Sequence, residues 1–310
     1  MTAKKIVVLA TGGTIAGTAA SPHDNLEYTA AQLGIDDLLA SLTVPDGAPL
    51  VAEQVAQIDS KNMSFVVWRN LALRCSHWLG QADVAGLVIT HGTDTLEETA
   101  FFLQQVLSPA KPVVLTCAMR PATALVPDGP QNLLDAIAVA SSQARGVVAV
   151  CAGTIRDACD VAKQHTYRLD PFTSGDAGAV GYVEDGKLRL LRDWPRPELN
   201  NAGLLEKFVA CEEWPRVEIV MNYAGASGAI VDGLVAQGVR GLVVAGSGNA
   251  GIHHELEAAL IQAQASGVKV VRASRCAEGV VLARASDSLP HSNGLSPVKA
   301  RIALMLSLLA

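Results

Sequence analysis

The sequence predicts an α/β protein, and three observations carry that prediction. Apolar runs rich in Val and Ile recur at 6–9, 85–89, 112–115 and 146–150. Segments of helical periodicity separate them, among them Leu96–Val106 and Asn132–Ser142. After a polar, proline-punctuated stretch, "LRDWPRPELNN", the same rhythm restarts on a smaller scale.

Short runs that are apolar on both faces, joined by helical crossovers, belong to a parallel sheet covered on both sides. Residues 1–190 therefore read as a larger domain of the flavodoxin or Rossmann kind. The stretch 191–212 reads as a linker. Residues 213–310 read as a smaller α/β domain, with strand-like runs at 217–220, 242–245 and 268–271 and helix-like ones at 229–237, 253–265 and 298–309. Ser296-Pro297 supplies the last helix with an N-cap and a first-turn proline. In such sheets ligands sit at the carboxyl ends of the strands, so the loops that follow strands are where function is expected.

Composition narrows the class. The chain has 310 residues, 50% apolar and 17% charged, enough for a sizeable core. Thirty acidic against 24 basic residues leave a net charge of −6 without a Lys/Arg block, which argues against nucleic acid and anionic membrane as partners. A small-molecule partner is expected instead. No charged-then-apolar leader opens the sequence, and no apolar stretch approaches the about 18 residues that span a bilayer. The expected location is cytoplasmic, or periplasmic if a leader has been removed. Six cysteines without a CxxC pair read as ordinary thiols, and neither a metal site nor a cofactor is expected.

Two loops draw attention. "ATGGTIAG" (10–17) follows the first strand but lacks the G-x-G-x-x-G spacing and the Lys-Ser/Thr of a phosphate loop. It leaves Thr14 among glycines that let the backbone approach a ligand. That hydroxyl reads either as a turn or cap group or as a nucleophile beside amide N–H donors. "GLVITHGTDTLEETA" (86–100) is a buried strand, a turn with His91, Thr93, Asp94 and Thr95, then a helix. One of Asp94 and Thr95 is expected to cap that helix. His91 reads as a packed structural histidine rather than a general base.

Together these two motifs resemble those of the bacterial-type L-asparaginase family, amidohydrolases with a threonine nucleophile. The similarity extends to "KPVVLTCAMRP" (111–121), "DGPQNLLDA" (128–136), "DVAK" (160–163), "SGNAG", "RASR" and "SPVKAR", nearly the whole chain. The resemblance implies hydrolysis of L-asparagine to L-aspartate and ammonia, without cofactor, through an acyl-enzyme on Thr14. It places Tyr28 beside Thr14, on a lid loop spanning about residues 15–33. It makes Thr93, Asp94 and Lys163 a hydrogen-bonded cluster, with Asp94 also holding the substrate's α-ammonium. It assigns Asp59 and Ser60 to substrate binding, Ser60 at the α-carboxylate, the Ala118 carbonyl to the scissile amide, and Asn249 to a site shared between subunits of a homotetramer built from dimers.

An aliphatic hydroxyl needs a neighbour to take its proton, and Tyr28 or Lys163 through Thr93 could do so. Where some family members carry a glutamine or glutamate that binds the α-ammonium, this chain has Lys61, expected to point to solvent. The segment 277–295 is shortened and offers Glu278 and Asp287 as candidates for an acidic residue that a partner supplies. That departure favours asparagine over glutamine as substrate. The alternatives are a glutaminase-asparaginase of broad specificity and a non-catalytic amino-acid sensor on the same fold.

Overall fold

The computed structural model describes residues 4–40, 42–43, 49–195 and 203–309. It divides into two compact units, Met1–Ala202 and Gly203–Ala310. Residues 196–202 of the expected linker lie outside the described residues.

The first unit begins with β1 (Lys5–Gly12), a hairpin of β2 (Thr18–Ala19) and β3 (Tyr28–Thr29), and α1 (Ile35–Ala40). There follow β4 (Leu50–Ile58), α2 (Phe65–Leu79), β5 (Val84–Thr90), α3 (Leu96–Leu107), β6 (Pro112–Thr116), α4 (Gly129–Ala140) and β7 (Gly146–Cys151). Short strands complete it: β8 (Thr154–Asp157), β9 (Ala162–Lys163), β10 (Phe172–Thr173), β11 (Gly181–Glu184) and β12 (Lys187–Leu190). The main sheet runs β12-β11-β8-β7-β6-β5-β1-β4. From β4 to β7 it is parallel, while β8, β11 and β12 pair antiparallel at the other side.

The four apolar runs become β1, β5, β6 and β7 at the centre of this sheet, because only there does covering both faces make an unbroken apolar run favourable. On one face Ile6, Val8, Val88, Val114 and Val148 pack with Leu133, Ala136 and Ile137 of α4 and with Ile35 of α1. The alternate residues Val7, Leu9, Leu87, Ile89 and Leu115 are just as buried. Each large side chain so buried is worth about 1.5–3 kcal/mol, so these strands anchor the unit. Trp68 of α2 and Phe102 of α3 stack at 4.6 Å, and the Trp68 indole N–H donates to Thr99. α4 starts at Gly129 rather than Asn132, because Pro130 suits the first turn.

The second unit contains α5 (Leu204–Ala210), β13 (Val217–Met221), α6 (Ala229–Ala236), β14 (Gly241–Gly246), α7 (His254–Ala265), β15 (Lys269–Ser274) and α8 (Pro297–Ser307). Its parallel sheet has the order β13-β14-β15. α5 falls inside the stretch read as a linker, with Phe208 buried. Ser296 caps α8 by accepting from the Lys299 N–H at 3.5 Å. Among the described residues no helix is long and apolar enough to cross a membrane, and no group of three His, Cys, Asp or Glu could hold a metal.

Candidate active site

The carboxyl ends of β4, β1 and β5 lie side by side, and the chain segments leaving them touch. The ladder between β1 and β4 shifts register between Ala10 and Gly12, a bulge that re-aims the strand end. Gly12 and Gly13 then take φ values of 103° and 83°, which side chains disfavour. A Cβ on Gly12 would fall 2.5 Å from the Ile58 carbonyl, one on Gly13 2.4 Å from Gly92 Cα, and one on Gly92 2.4 Å from Ser60 Oγ. These glycines are therefore the contact points that bring the segments around 13, 60 and 92 together.

Thr14, buried, follows at once, and its Oγ1 lies 2.7 Å from Tyr28 Oη. Tyr28 reaches it from the β2–β3 hairpin within the expected lid. Hydrogen bonds pin that segment: Ala31 N–H to the Gly13 carbonyl at 3.0 Å, Ala122 N–H to the Gly17 carbonyl at 2.9 Å, and Leu125 N–H to the Pro22 carbonyl at 2.9 Å.

Beyond Gly92, Lys163 Nζ donates to Thr93 Oγ1 at 2.8 Å and to Asp94 Oδ1 at 2.6 Å. Lys163 arrives on β9, held by its pairing with β10. The Asp94 side chain is 49% exposed, so this ion pair contributes little stability and its effect is orientation. Ser60, only 2% exposed, accepts the Asp94 N–H at 3.2 Å, and its carbonyl accepts the Thr95 hydroxyl at 2.8 Å. Neither Asp94 nor Thr95 caps α3 through its side chain, contrary to expectation: Thr95 occupies the cap position but spends its hydroxyl on Ser60, and Asp94 spends its carboxylate on Lys163.

Asp59 accepts the Lys61 N–H at 3.3 Å and pairs with Lys61 Nζ at 3.0 Å. Lys61 is exposed, as expected, and Asp59 holds its ammonium above the usual lysine range. His91 is fully buried with Nδ1 2.7 Å from the Gly92 carbonyl, and burial pulls it down to about 4. It is a neutral packed group, fixing the turn. Ala118 is buried against Ile15 and Ala16, next to Thr14. A buried threonine hydroxyl, a tyrosine in contact with it, and a Thr-Asp-Lys cluster across a glycine seam are the kinds of group that acyl transfer uses.

Two family models match the chain, "Asparaginase, N-terminal" over residues 5–196 and "Glutaminase/Asparaginase C-terminal domain" over residues 216–310. The chain belongs to the asparaginase family. It is 37% identical to L-asparaginase 2 of Bacillus subtilis (strain 168), an alignment covering 98% of this chain and 82% of that one. It is 35% identical to the glutaminase-asparaginase of Pseudomonas fluorescens biotype A, covering 98% and 86%. The crystal structure of a probable cytoplasmic L-asparaginase from Campylobacter jejuni superposes with a TM-score of 0.92 at 37% identity, covering 98% of this chain and 95% of that one.

In this asparaginase-family chain Asn249 lies in the second unit. Its amide nitrogen donates to the Leu282 carbonyl at 2.9 Å and its oxygen accepts the Leu282 N–H at 2.7 Å. Asp287 pairs with Arg272 at 2.5 Å and accepts the Arg284 N–H, so of the two carboxylates expected in this segment Glu278 is the exposed one. Sequence reasoning marked "DGPQNLLDA" as a motif without giving its polar residues a role. Asp128 and Asn132 in fact grip the loop that carries Ala118.

Proposed function

We propose that this chain hydrolyses L-asparagine to L-aspartate and ammonia, with Thr14 as the nucleophile. One relationship carries the reading: the Thr14 hydroxyl bonded to Tyr28, set across the Gly13–Gly92 contact from the Thr93-Asp94-Lys163 cluster. Thr14 Oγ1 attacks the side-chain amide carbon and its proton passes to Tyr28, the group in direct contact. The C–N bond then breaks, the proton reaches the leaving nitrogen, and ammonia departs. Water hydrolyses the ester left on Thr14. Lys163, ion-paired with Asp94, orients Thr93 and supplies positive charge to the site. Asp94, Asp59 and Ser60 take the substrate's α-amino and α-carboxylate groups, and the Ala118 carbonyl meets the scissile amide.

The preferred substrate in this reading is asparagine, because the 277–295 segment is shortened and one of its two candidates for the partner-supplied acidic residue, Asp287, is tied to Arg272. Similarity to a glutaminase-asparaginase favours a second reading with broader specificity. We assign the working form to a homotetramer built from dimers, with Asn249 reaching a neighbouring subunit's site. The exposed Val280 and Leu282 beside Asn249 support an interface there. The domain boundaries 1–190, 191–212 and 213–310 belong to the same reading. So does a cytoplasmic location, which similarity to the Campylobacter jejuni enzyme supports.

The decisive experiment is Thr14→Ala. Ammonia release from asparagine should fall on the order of 10³-fold or more while aspartate still binds. Normal hydrolysis by the variant would remove Thr14 from the mechanism. Parallel assays with glutamine separate the two substrate readings.

A further inference from the structure

The loop after β6 is held in place by the first turn of α4. Asp128 Oδ2 accepts the Met119 N–H at 2.9 Å and Oδ1 accepts the Arg120 N–H at 2.9 Å. Asn132 Nδ2 donates to the Cys117 carbonyl at 3.0 Å and to Asp128 Oδ2 at 3.3 Å, while its Oδ1 accepts the Ala152 N–H at 2.9 Å. The peptide groups on both sides of Ala118 are therefore fixed from one helix turn. Among the described residues no donor is hydrogen-bonded to the Ala118 carbonyl itself.

Asp128 stands at the N-cap of α4, where a carboxylate ordinarily accepts from a backbone N–H of its own helix. Here it makes no such bond. Its acceptors go to the loop instead, so the arrangement serves the loop ahead of the helix. The next residue ties this turn to the nucleophile: a Cβ on Gly129 would meet Ile15 Cγ1 at 2.9 Å and Ala118 Cβ at 3.5 Å. The start of α4 thus abuts the residue after Thr14 and Ala118 together.

We propose that Asp128 is a positioning residue for amide hydrolysis: by clamping the 119 and 120 N–H groups it aims the Ala118 carbonyl at the N–H of the leaving amide. The inference rests on the role given to Ala118 above and deepens it. As the amide nitrogen gains a proton and the C–N bond breaks, its N–H groups become stronger donors, so a well-aimed carbonyl assists the transition state more than the bound substrate. An ester in place of the amide has no N–H to offer. Asp128 should therefore matter for amides and not for esters, a distinction that a purely structural role does not make.

The test compares L-asparagine with L-aspartate β-methyl ester. In Asp128→Asn one acceptor becomes an NH₂ facing a backbone N–H, and kcat for asparagine should fall about tenfold to hundredfold with the ester rate held within about twofold. Asp128→Glu, which keeps both acceptors, should recover part of the amide-to-ester ratio. That ratio is insensitive to the folded fraction, and Asp128→Ser is read the same way if Asp128→Asn yields no folded protein. Equal losses on both substrates, or no change on either, would overturn the proposal. Wild-type protein that releases no ammonia from asparagine would instead refute the functional reading beneath it.

Discussion

Gly13 and Gly92 meet so closely that a methyl group on Gly13 would fall 2.4 Å from Gly92 Cα. That contact joins the end of β1 to the end of β5, and with it Thr14 to Thr93. Gly92 in turn leaves no room for a Cβ, which would meet Ser60 Cβ at 2.7 Å. Its own φ is not in the left-handed region, so the main obstacle to a side chain there is Ser60, with Gly13 Cα a lesser one at 3.2 Å.

Gly92→Ala should accordingly destabilise the fold by about 1–3 kcal/mol, as overpacking does. Ser60→Gly should recover much of that loss in the double variant, because it removes the atoms in the way. Urea denaturation of the four proteins forms a double-mutant cycle, and purely additive effects would show that the clash lies elsewhere.

The segments around this seam differ in how far they could be read. β1, β5, β6 and β7 are legible because burial on both faces writes an unbroken apolar run. β4 is not, since "LVAEQVAQI" lies at the sheet edge with mostly half-buried residues. Strands β8 to β12 are two to four residues long and leave too little pattern. Thr14 and Thr93 stand out at strand ends, but Lys163 comes from a two-residue strand 69 positions beyond Asp94 and is marked only by family resemblance. The capping expectation for Asp94 and Thr95 failed because both side chains have long-range partners, Lys163 and Ser60, that local spacing cannot reveal.

Lys163 touches Thr93 and Asp94 together, so removing it leaves two hydrogen bonds unmade at once. Lys163→Met, which keeps length without the charge, should lower kcat for asparagine on the order of 10²-fold to 10⁴-fold. Asp94→Asn should raise KM more strongly than Lys163→Met does, if Asp94 holds the α-ammonium. Steady-state kinetics on both variants checks this, and matching changes in KM would merge the two roles.

His91 links acidity to stability. Burial lowers it from 6.5 to about 4, so between those values the unfolded chain binds a proton that the folded one refuses. Stability is fully present above the unfolded value and is lost as pH falls from about 6.5 toward 4, by an amount of about 3 kcal/mol in total. Denaturation midpoints at pH 7 and pH 4.5 measure the loss. In His91→Gln the difference between the two conditions should shrink by most of that amount, and an unchanged difference would assign the acid sensitivity to other groups.

Lys61 lies beside the proposed substrate end of the site, next to Asp59. Its ammonium lies 3.0 Å from the Asp59 carboxylate, the same kind of partner a substrate α-ammonium would seek. Lys61 is then an internal competitor, and because the pair is exposed the competition is weak. Lys61→Gln should lower KM for asparagine by about two- to fivefold and leave kcat unchanged, while Asp59→Asn should raise KM. The sign is what matters. A neutral side chain that weakens substrate binding would mean that Lys61 assists the substrate, through its carboxylate, and the opposition drawn between Lys61 and the α-ammonium would be wrong.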